Sequence, residues 1–335
     1  MHDQNQSGKV PASKRRGRGC LFWLGASLAA LLGLVLVGYI FEPFAEAADA
    51  KAYPPPGQLV DVGGYRMHIN CTGTGSPTVV IDAGLGDWST SWGEYVQPEV
   101  AKTTRVCTYD RAGMGWSEAG PPPRDAAQFA RELHTLLQNA NVPGPYVMVG
   151  HSLGGLTVRV FVHEYAAEVA GVVLIDSMNP NRFNRTSPDV LAQSRSQSQP
   201  FSFAAMLSRL GVARLLVKLP FIAPRVSAND DAYYSRYIRT QSLQATTNES
   251  QGMPASGAEA SAVQSFGDLP LIVLTARLNN DGSWQDWQKE LLQLSSNSRQ
   301  LFAENSGHNV QLDEPDAAIA AITQMVRQVR ETVTK

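Results

Sequence analysis

The sequence runs to 335 residues, enough for one large domain or two ordinary ones. Its 28 basic and 30 acidic side chains give a net charge of −2, without the basic excess a nucleic-acid-binding surface needs. At 43% hydrophobic and 17% charged it can bury a large core, and its three scattered cysteines match neither a disulfide scaffold nor a zinc ligand set.

The charge is concentrated at the start. Lys9, Lys14, Arg15, Arg16 and Arg18 face one acid, Asp3, so the first 20 residues carry +4 and the remainder −6. After the basic tail (1–19), Cys20 to Phe41 forms 22 residues without a charge. As a helix this run would be about 33 Å long, against a bilayer core of about 30 Å. A cleaved signal peptide needs a shorter apolar run, although Ala45-Glu46-Ala47 and Ala48-Asp49-Ala50 offer small-residue cleavage sites. The length favours a retained single-pass anchor. The sharp basic and polar flanks argue against the core helix of a soluble domain. In either main reading the positive tail stays in the cytoplasm and the rest of the chain is exported. The paired Arg15 and Arg16 lack the rest of a twin-arginine signal.

Residues 42–57 are small, polar and proline-rich, the composition of a linker that ends in a stiff polyproline segment. From Gln58 onward, apolar runs of strand length recur. Leu59–Val62 and Tyr65–Asn70 flank Gly63-Gly64, a hairpin turn signal. Thr78–Asp82, Arg105–Tyr109, Tyr146–Val149, Gly171–Ile175, Leu271–Leu274 and Gln300–Ala303 follow. Between them lie helical periods such as Ala126–Asn139, with Phe129, Leu133, Leu136 and Leu137 on one face. Apolar strands alternating with helices predict an α/β fold, with a mostly parallel sheet covered on both faces. The exception is Ser177–Gly267, 91 residues with no convincing strand but an apolar helix-like stretch at Phe201–Leu219. An insertion of this size between two strands is usually functional, and it reads as a helical lid.

The chemical signal is Gly150-His151-Ser152-Leu153-Gly154, between an apolar strand and the helical stretch Leu156–Tyr165. A G-x-S-x-G sequence in that context puts the serine on a tight turn above the sheet edge, with its Oγ exposed and a helix N-terminus behind it. A glycine-rich turn without chemistry can give the same five letters, but it does not need a strand before and a helix after. A serine at its ordinary pKa requires a base. Of six histidines, His2 is in the tail, His68 in the hairpin, and His134 and His163 in helical patterns. His151 adjoins the serine, and neighbours on a tight turn point apart. His308, in a loop after the last strand and before the final helix, fits the chain order of a Ser…Asp…His set.

With those residues in view, the chain from about Gln58 to Val333 resembles an α/β-hydrolase fold protein of the serine esterase and lipase-like branch. The sequence Tyr109-Asp110-Arg111-Ala112-Gly113-Met114-Gly115-Trp116-Ser117 is similar to the D-x-R-G-x-G-x-S loop of the esterase and epoxide-hydrolase branch. Gly307-His308 followed by Asp313-Glu314-Pro315 is another pairing of that branch. The resemblance implies an eight-stranded sheet in domain 58–335, with a cap at about 178–267 inserted after the sixth strand. It also implies an orienting acid at one of two positions. The commoner lies after the seventh strand, where TARLNNDGSW offers asparagines 279 and 280 and a late Asp281. The other closes the sixth strand, where Asp176 stands at the edge on which α/β active sites lie. Asp176 is preferred, with Asp281 the alternative. The oxyanion donors implied are the Leu153 N–H and, in the segment Ala83-Gly84-Leu85-Gly86, the Leu85 N–H. Trp88 and Trp92 follow that segment and could line an acyl pocket, though packing is their commoner role.

The function expected is a serine hydrolase acting on a small-molecule carboxylic ester, held to the membrane by its first helix. A lactonase, thioesterase, C–C hydrolase or prolyl aminopeptidase would use the same residues, and a ligand-binding sensor could share the fold without the chemistry. Members with an aspartate nucleophile are disfavoured by Ser152. No H-x-x-x-H, Walker loop or G-x-G-x-x-G follows a strand, so no metal or cofactor is expected, and no nucleic-acid partner. In this fold the second and fourth strands are neighbours, which implies a Cys71–Cys107 disulfide in an oxidising compartment and leaves Cys20 unpaired; two buried free thiols are the alternative.

Overall fold

The structure is a computed structural model, and it describes residues 16–184, 189–219, 230–279 and 282–333. Eight strands form one sheet: β1 (Gln58–Asp61), β2 (Arg66–Thr72), β3 (Thr78–Asp82), β4 (Val106–Tyr109), β5 (Tyr146–His151), β6 (Val169–Ile175), β7 (Leu271–Ala276) and β8 (Ser298–Ala303). Their order is β1-β2-β4-β3-β5-β6-β7-β8. The β1–β2 and β2–β4 pairs are antiparallel, and from β4 to β8 every pair is parallel. Each apolar run read from the sequence is one of these strands. The hairpin turn is wider than a two-glycine loop, because Asp61 pairs with Arg66 and Val62 to Tyr65 make the bend.

Burial on both faces explains the near-continuous apolar strands. Tyr146 and Met148 of β5 belong to a core with Phe129, Leu133, Leu136 and Leu137 of the helix Ala126–Asn139, while Val147 and Val149 belong to one with Ile322, Met325 and Val326 of the helix Pro315–Val333. The helix Ala126–Asn139 starts where the sequence predicts, because the Asp125 carboxylate accepts from the Gln128 N–H at 3.0 Å. Cys71 and Cys107 lie directly opposite each other on β2 and β4 and are joined by a disulfide.

The insertion between β6 and β7 is helical: Asn181–Asn184, Asp189–Arg209, Val212–Leu216, Asp230–Tyr237 and Thr240–Ala262. The stretch Phe201–Leu219 is not one helix. It bends at Gly211, whose φ of +70° lies in the left-handed region, between Asp189–Arg209 and Val212–Leu216.

The N-terminal segment differs from a linker reading of 42–57. One helix runs from Arg16 to Ala52, through Pro43. Alanines and glutamates in 42–52 are strong helix formers. They are also held from outside: Arg214 donates to Glu42 at 2.8 Å and to Asp49 at 2.7 Å. Only 53–57, which contain the three prolines, connect helix to β1. The part from Leu21 to Ala52 is long and apolar enough to cross a membrane.

Candidate active site

Ser152 sits between β5 and the helix Gly154–Glu164 with φ +50°, a strained value for a residue with a Cβ. The flanking glycines make the turn possible. A Cβ on Gly154 would stand 2.4 Å from the Asp82 carbonyl oxygen, and one on Gly150 2.8 Å from the Gly154 carbonyl oxygen. The turn is tied down because the Ser152 carbonyl accepts from the Met178 N–H at 2.9 Å.

His308 reaches this turn from the loop after β8. Its Nε2 lies 2.9 Å from Ser152 Oγ, and its Nδ1 lies 2.7 Å from Asp176 Oδ2. A proton on Nδ1 satisfies the carboxylate and leaves the Nε2 lone pair to accept from the serine hydroxyl. Asp176 is fully buried and saturated with donors. Its Oδ1 accepts from the Ala276 N–H at 3.1 Å and from Trp284 Nε1 at 2.9 Å. Its Oδ2 accepts from Asn279 Nδ2 at 2.8 Å as well as from His308. Asn279, in the position where an acid was sought, is thus a donor to Asp176. Asp281 lies outside the described residues.

Two side chains without an assigned role in the sequence reading, Trp284 and His151, hold Asp176 and His308 in place. Trp284 also sets its ring edge-on to His308, centroids 5.5 Å apart. The Nε2 of His151 donates to the His308 carbonyl at 2.9 Å and so fixes the loop that carries His308. Burial, and then the nearby His308, push the His151 pKa down to about 4, so the ring is neutral at ordinary pH. A histidine inside the serine motif is a visible letter, but a bond to a loop 157 residues away has no local signal.

The Leu153 and Leu85 N–H groups have no hydrogen-bond acceptor among the described residues; Leu153 directly follows the serine, and Leu85 follows Gly84, which lies against it. A Cβ on Gly84 would lie 3.0 Å from His151 Nδ1 and 3.4 Å from the Ser152 Cβ, so the 83–86 loop runs tightly against the serine turn. Arg111, from the Asp110–Ser117 loop, holds that segment with every donor it has. Nη1 donates to Asp82 Oδ1 (2.6 Å) and the Ala83 carbonyl (2.8 Å). Nη2 donates to the Gly84 carbonyl (2.5 Å) and Glu249 Oε2 (3.1 Å), and Nε to Glu249 Oε1 (2.7 Å). Glu249, on the cap helix Thr240–Ala262, also accepts from the Gly86 N–H at 3.1 Å. Burial alone would lower the Arg111 pKa, but Glu249 and Asp82 beside it raise it well above its ordinary value. One guanidinium therefore ties the 83–86 loop to the cap.

The other predicted residues are structural. Trp88 is fully buried and stacks on Tyr233 of the cap, centroids 4.6 Å apart. Trp92, also fully buried, packs edge-on to His151. His68 donates from Nδ1 to Asp110 at 3.0 Å, and His134 pairs with Glu168 at 2.9 Å.

The sequence pattern of the alpha/beta hydrolase family matches residues 73–322. The chain belongs to that family. It is similar to an uncharacterized protein of Schizosaccharomyces pombe, 28% identical over 301 residues, covering 78% of this chain and 54% of that protein. It thus spans about half the length of that relative. An uncharacterized protein of Bacillus subtilis, YqjL, is 26% identical over 256 residues, covering 75% of this chain and 83% of its own. Among solved structures, an esterase of Thermogutta terrifontis superposes with a TM-score of 0.63 at 19% identity, over 81% of this chain and 98% of that one. The epoxide hydrolase CorEH does so with a TM-score of 0.60 at 21% identity, over 81% and 98%. At these identities the superpositions speak for the fold. The family supports a hydrolase.

Proposed function

We propose that this hydrolase cleaves carboxylic esters through an acyl-serine intermediate, with Ser152 as nucleophile, His308 as general base and Asp176 as its orienting acid. The carrying observation is the unbroken relay Ser152 Oγ–His308 Nε2 and His308 Nδ1–Asp176 Oδ2, at 2.9 and 2.7 Å. His308 takes the serine proton as Oγ attacks the ester carbonyl. The oxyanion that forms accepts from the Leu85 and Leu153 N–H groups. His308 then gives the proton to the leaving alkoxide, and water, deprotonated by the same ring, releases the acid and restores the serine. A complete relay favours an enzyme over a binding module, which has no need of one. Serine in place of an aspartate nucleophile speaks against epoxide opening and dehalogenation.

The helix Arg16–Ala52 serves, in this reading, as a retained single-pass anchor with the basic tail in the cytoplasm and the catalytic domain outside the membrane. A disulfide between β2 and β4 suits that compartment. Turnover of p-nitrophenyl esters of graded acyl length tests the assignment. Saturable hydrolysis lost in Ser152→Ala is the expected result, and equal turnover by the variant would overturn it.

A further inference from the structure

The N-terminal helix does not leave the catalytic domain where its apolar run ends; it lies against the cap. Gly38 packs on the Leu210 turn so closely that a Cβ there would stand 2.0 Å from the Leu210 carbonyl oxygen. Gly211 faces it, and a Cβ on that residue would lie 3.7 Å from the Gly38 Cα. Two glycines thus meet across the contact, a composition that lets backbones approach. Further along the same stripe of the helix, Glu42 and Asp49 accept from Arg214 at 2.8 and 2.7 Å, and Glu42 is buried by this pairing. Tyr53, just past the helix end, accepts at its carbonyl from Arg236 Nη2 at 2.6 Å and from Trp116 Nε1 at 3.0 Å.

The register of that contact sets the depth of the cap. Gly38 belongs to the apolar run, next to Tyr39 and ahead of Phe41, and the ion pairs begin only at Glu42. Tyr39 is the kind of residue that sits at a membrane–water boundary. The Leu210–Gly211 turn is therefore level with the outer end of the membrane-spanning part, while Arg214 meets the polar part. Large apolar side chains are exposed around this turn. Phe203 (58%) and Met206 (50%) share one face of the helix leading into it, and Leu215 (66%) lies on the helix leading out. Among the described residues beyond the anchor helix, seven large apolar side chains are exposed, and four of them fall between 203 and 219.

We propose that this face of the cap is seated in the interfacial layer of the lipid bilayer that the helix spans. The proposal rests on the anchor reading above. Apolar side chains at headgroup depth, beside a helix that crosses the membrane, bury themselves in the acyl boundary as an interfacial amphipathic helix does. The cap then meets lipid directly, and the hydrolase is pressed onto the surface instead of hanging from a flexible tether.

Depth-dependent quenching tests this with the full chain in phosphatidylcholine vesicles. In a Cys20→Ser background, single cysteines replace Phe203, Met206 or Leu215, with Leu32→Cys as a control inside the span and Lys102→Cys as an aqueous control. Each carries an environment-sensitive fluorophore, and retained ester turnover reports that the labelled protein is folded. Labels at 203, 206 and 215 are expected to shift to the blue and to be quenched by nitroxides placed near the lipid headgroup. The label at 32 is expected to respond to nitroxides deep in the acyl chains, and the label at 102 to neither. If the three cap labels behave like 102 while 32 is quenched, the seating is refuted and the anchor stands. An unquenched label at 32 refutes the anchor and the seating with it. Cap labels that shift to the blue without lipid quenching are covered by another copy of the protein, which also refutes the proposal.

Discussion

Replacing Arg111 with methionine is the perturbation whose cost follows most directly from the geometry. The guanidinium places all five of its donors, on two carboxylates and two carbonyls, and both carboxylates are almost fully buried. Breaking a buried ion pair from one side costs about 3–5 kcal/mol, because the remaining charge is left without compensation. The figure is not doubled for two carboxylates, because burial already raises the Asp82 pKa with Arg111 in place and protonation offsets part of its cost once Arg111 is gone. The expected loss is therefore about 3–5 kcal/mol, carried mainly by Glu249. Arg111→Lys does not rescue it, since three donors cannot serve five acceptor positions. Activity falls too, because the Ala83 and Gly84 carbonyls that Arg111 holds lie directly before the Leu85 N–H. The loss of one oxyanion donor, about 10²–10³ in kcat, sets the upper bound. Urea midpoints in detergent for Arg111→Met, Glu249→Gln and the double variant give the assay, with kcat for a p-nitrophenyl ester beside them. The double variant should lose less than the two single losses together, because both act on one pair. Additive losses, or an Arg111→Met protein with wild-type midpoint and kcat, would refute the clamp.

Asp176→Asn should lower kcat by about 10⁴, since an amide at Oδ2 cannot accept the His308 Nδ1 proton and meets the Asn279 amide as a second donor; Asp281→Asn should stay near wild type. His151 gives a pH prediction. Its folded pKa of about 4 lies below the unfolded value near 6.5, so its contribution to stability is complete above pH 6.5 and is lost as the pH falls towards 4. The loss amounts to about 3 kcal/mol, and His151→Gln, which keeps a donor for the His308 carbonyl, should flatten the urea midpoint between those pH values. Peptide mapping without reductant should recover Cys71 and Cys107 in one cross-linked species, and finding both alkylated without reductant would contradict the bond.

What could be read from the sequence was local. The central strands are visible because a parallel strand buried on both faces is a short unbroken apolar run, as in Thr78–Asp82 and Gly171–Ile175, and the antiparallel β1 and β2 are visible through the Gly63-Gly64 turn between them. The serine turn was visible because its strain demands glycines within two residues on each side. His308 and Asp176 followed from chain order and from a strand end. The contacts that hold the site together join distant positions. Arg111 and Glu249 are 138 residues apart, and Trp284 and Asp176 are 108 apart. Asn279 reads as a missing acid until its amide is seen on Asp176. The helix from Glu42 to Ala52 was hidden for a related reason: its composition suits a linker as well as a helix, and the choice is made by Arg214, far along the chain.

The central claim is that Ser152 is a nucleophile activated by His308, and covalent capture tests it most directly. Wild-type protein incubated with a fluorophosphonate should gain one adduct, mapped by mass spectrometry to the peptide carrying Gly150-His151-Ser152-Leu153-Gly154, with parallel loss of ester turnover. His308→Ala should label far more slowly, and Ser152→Ala not at all. An adduct on another residue, or ester turnover that survives in Ser152→Ala, would contradict the account.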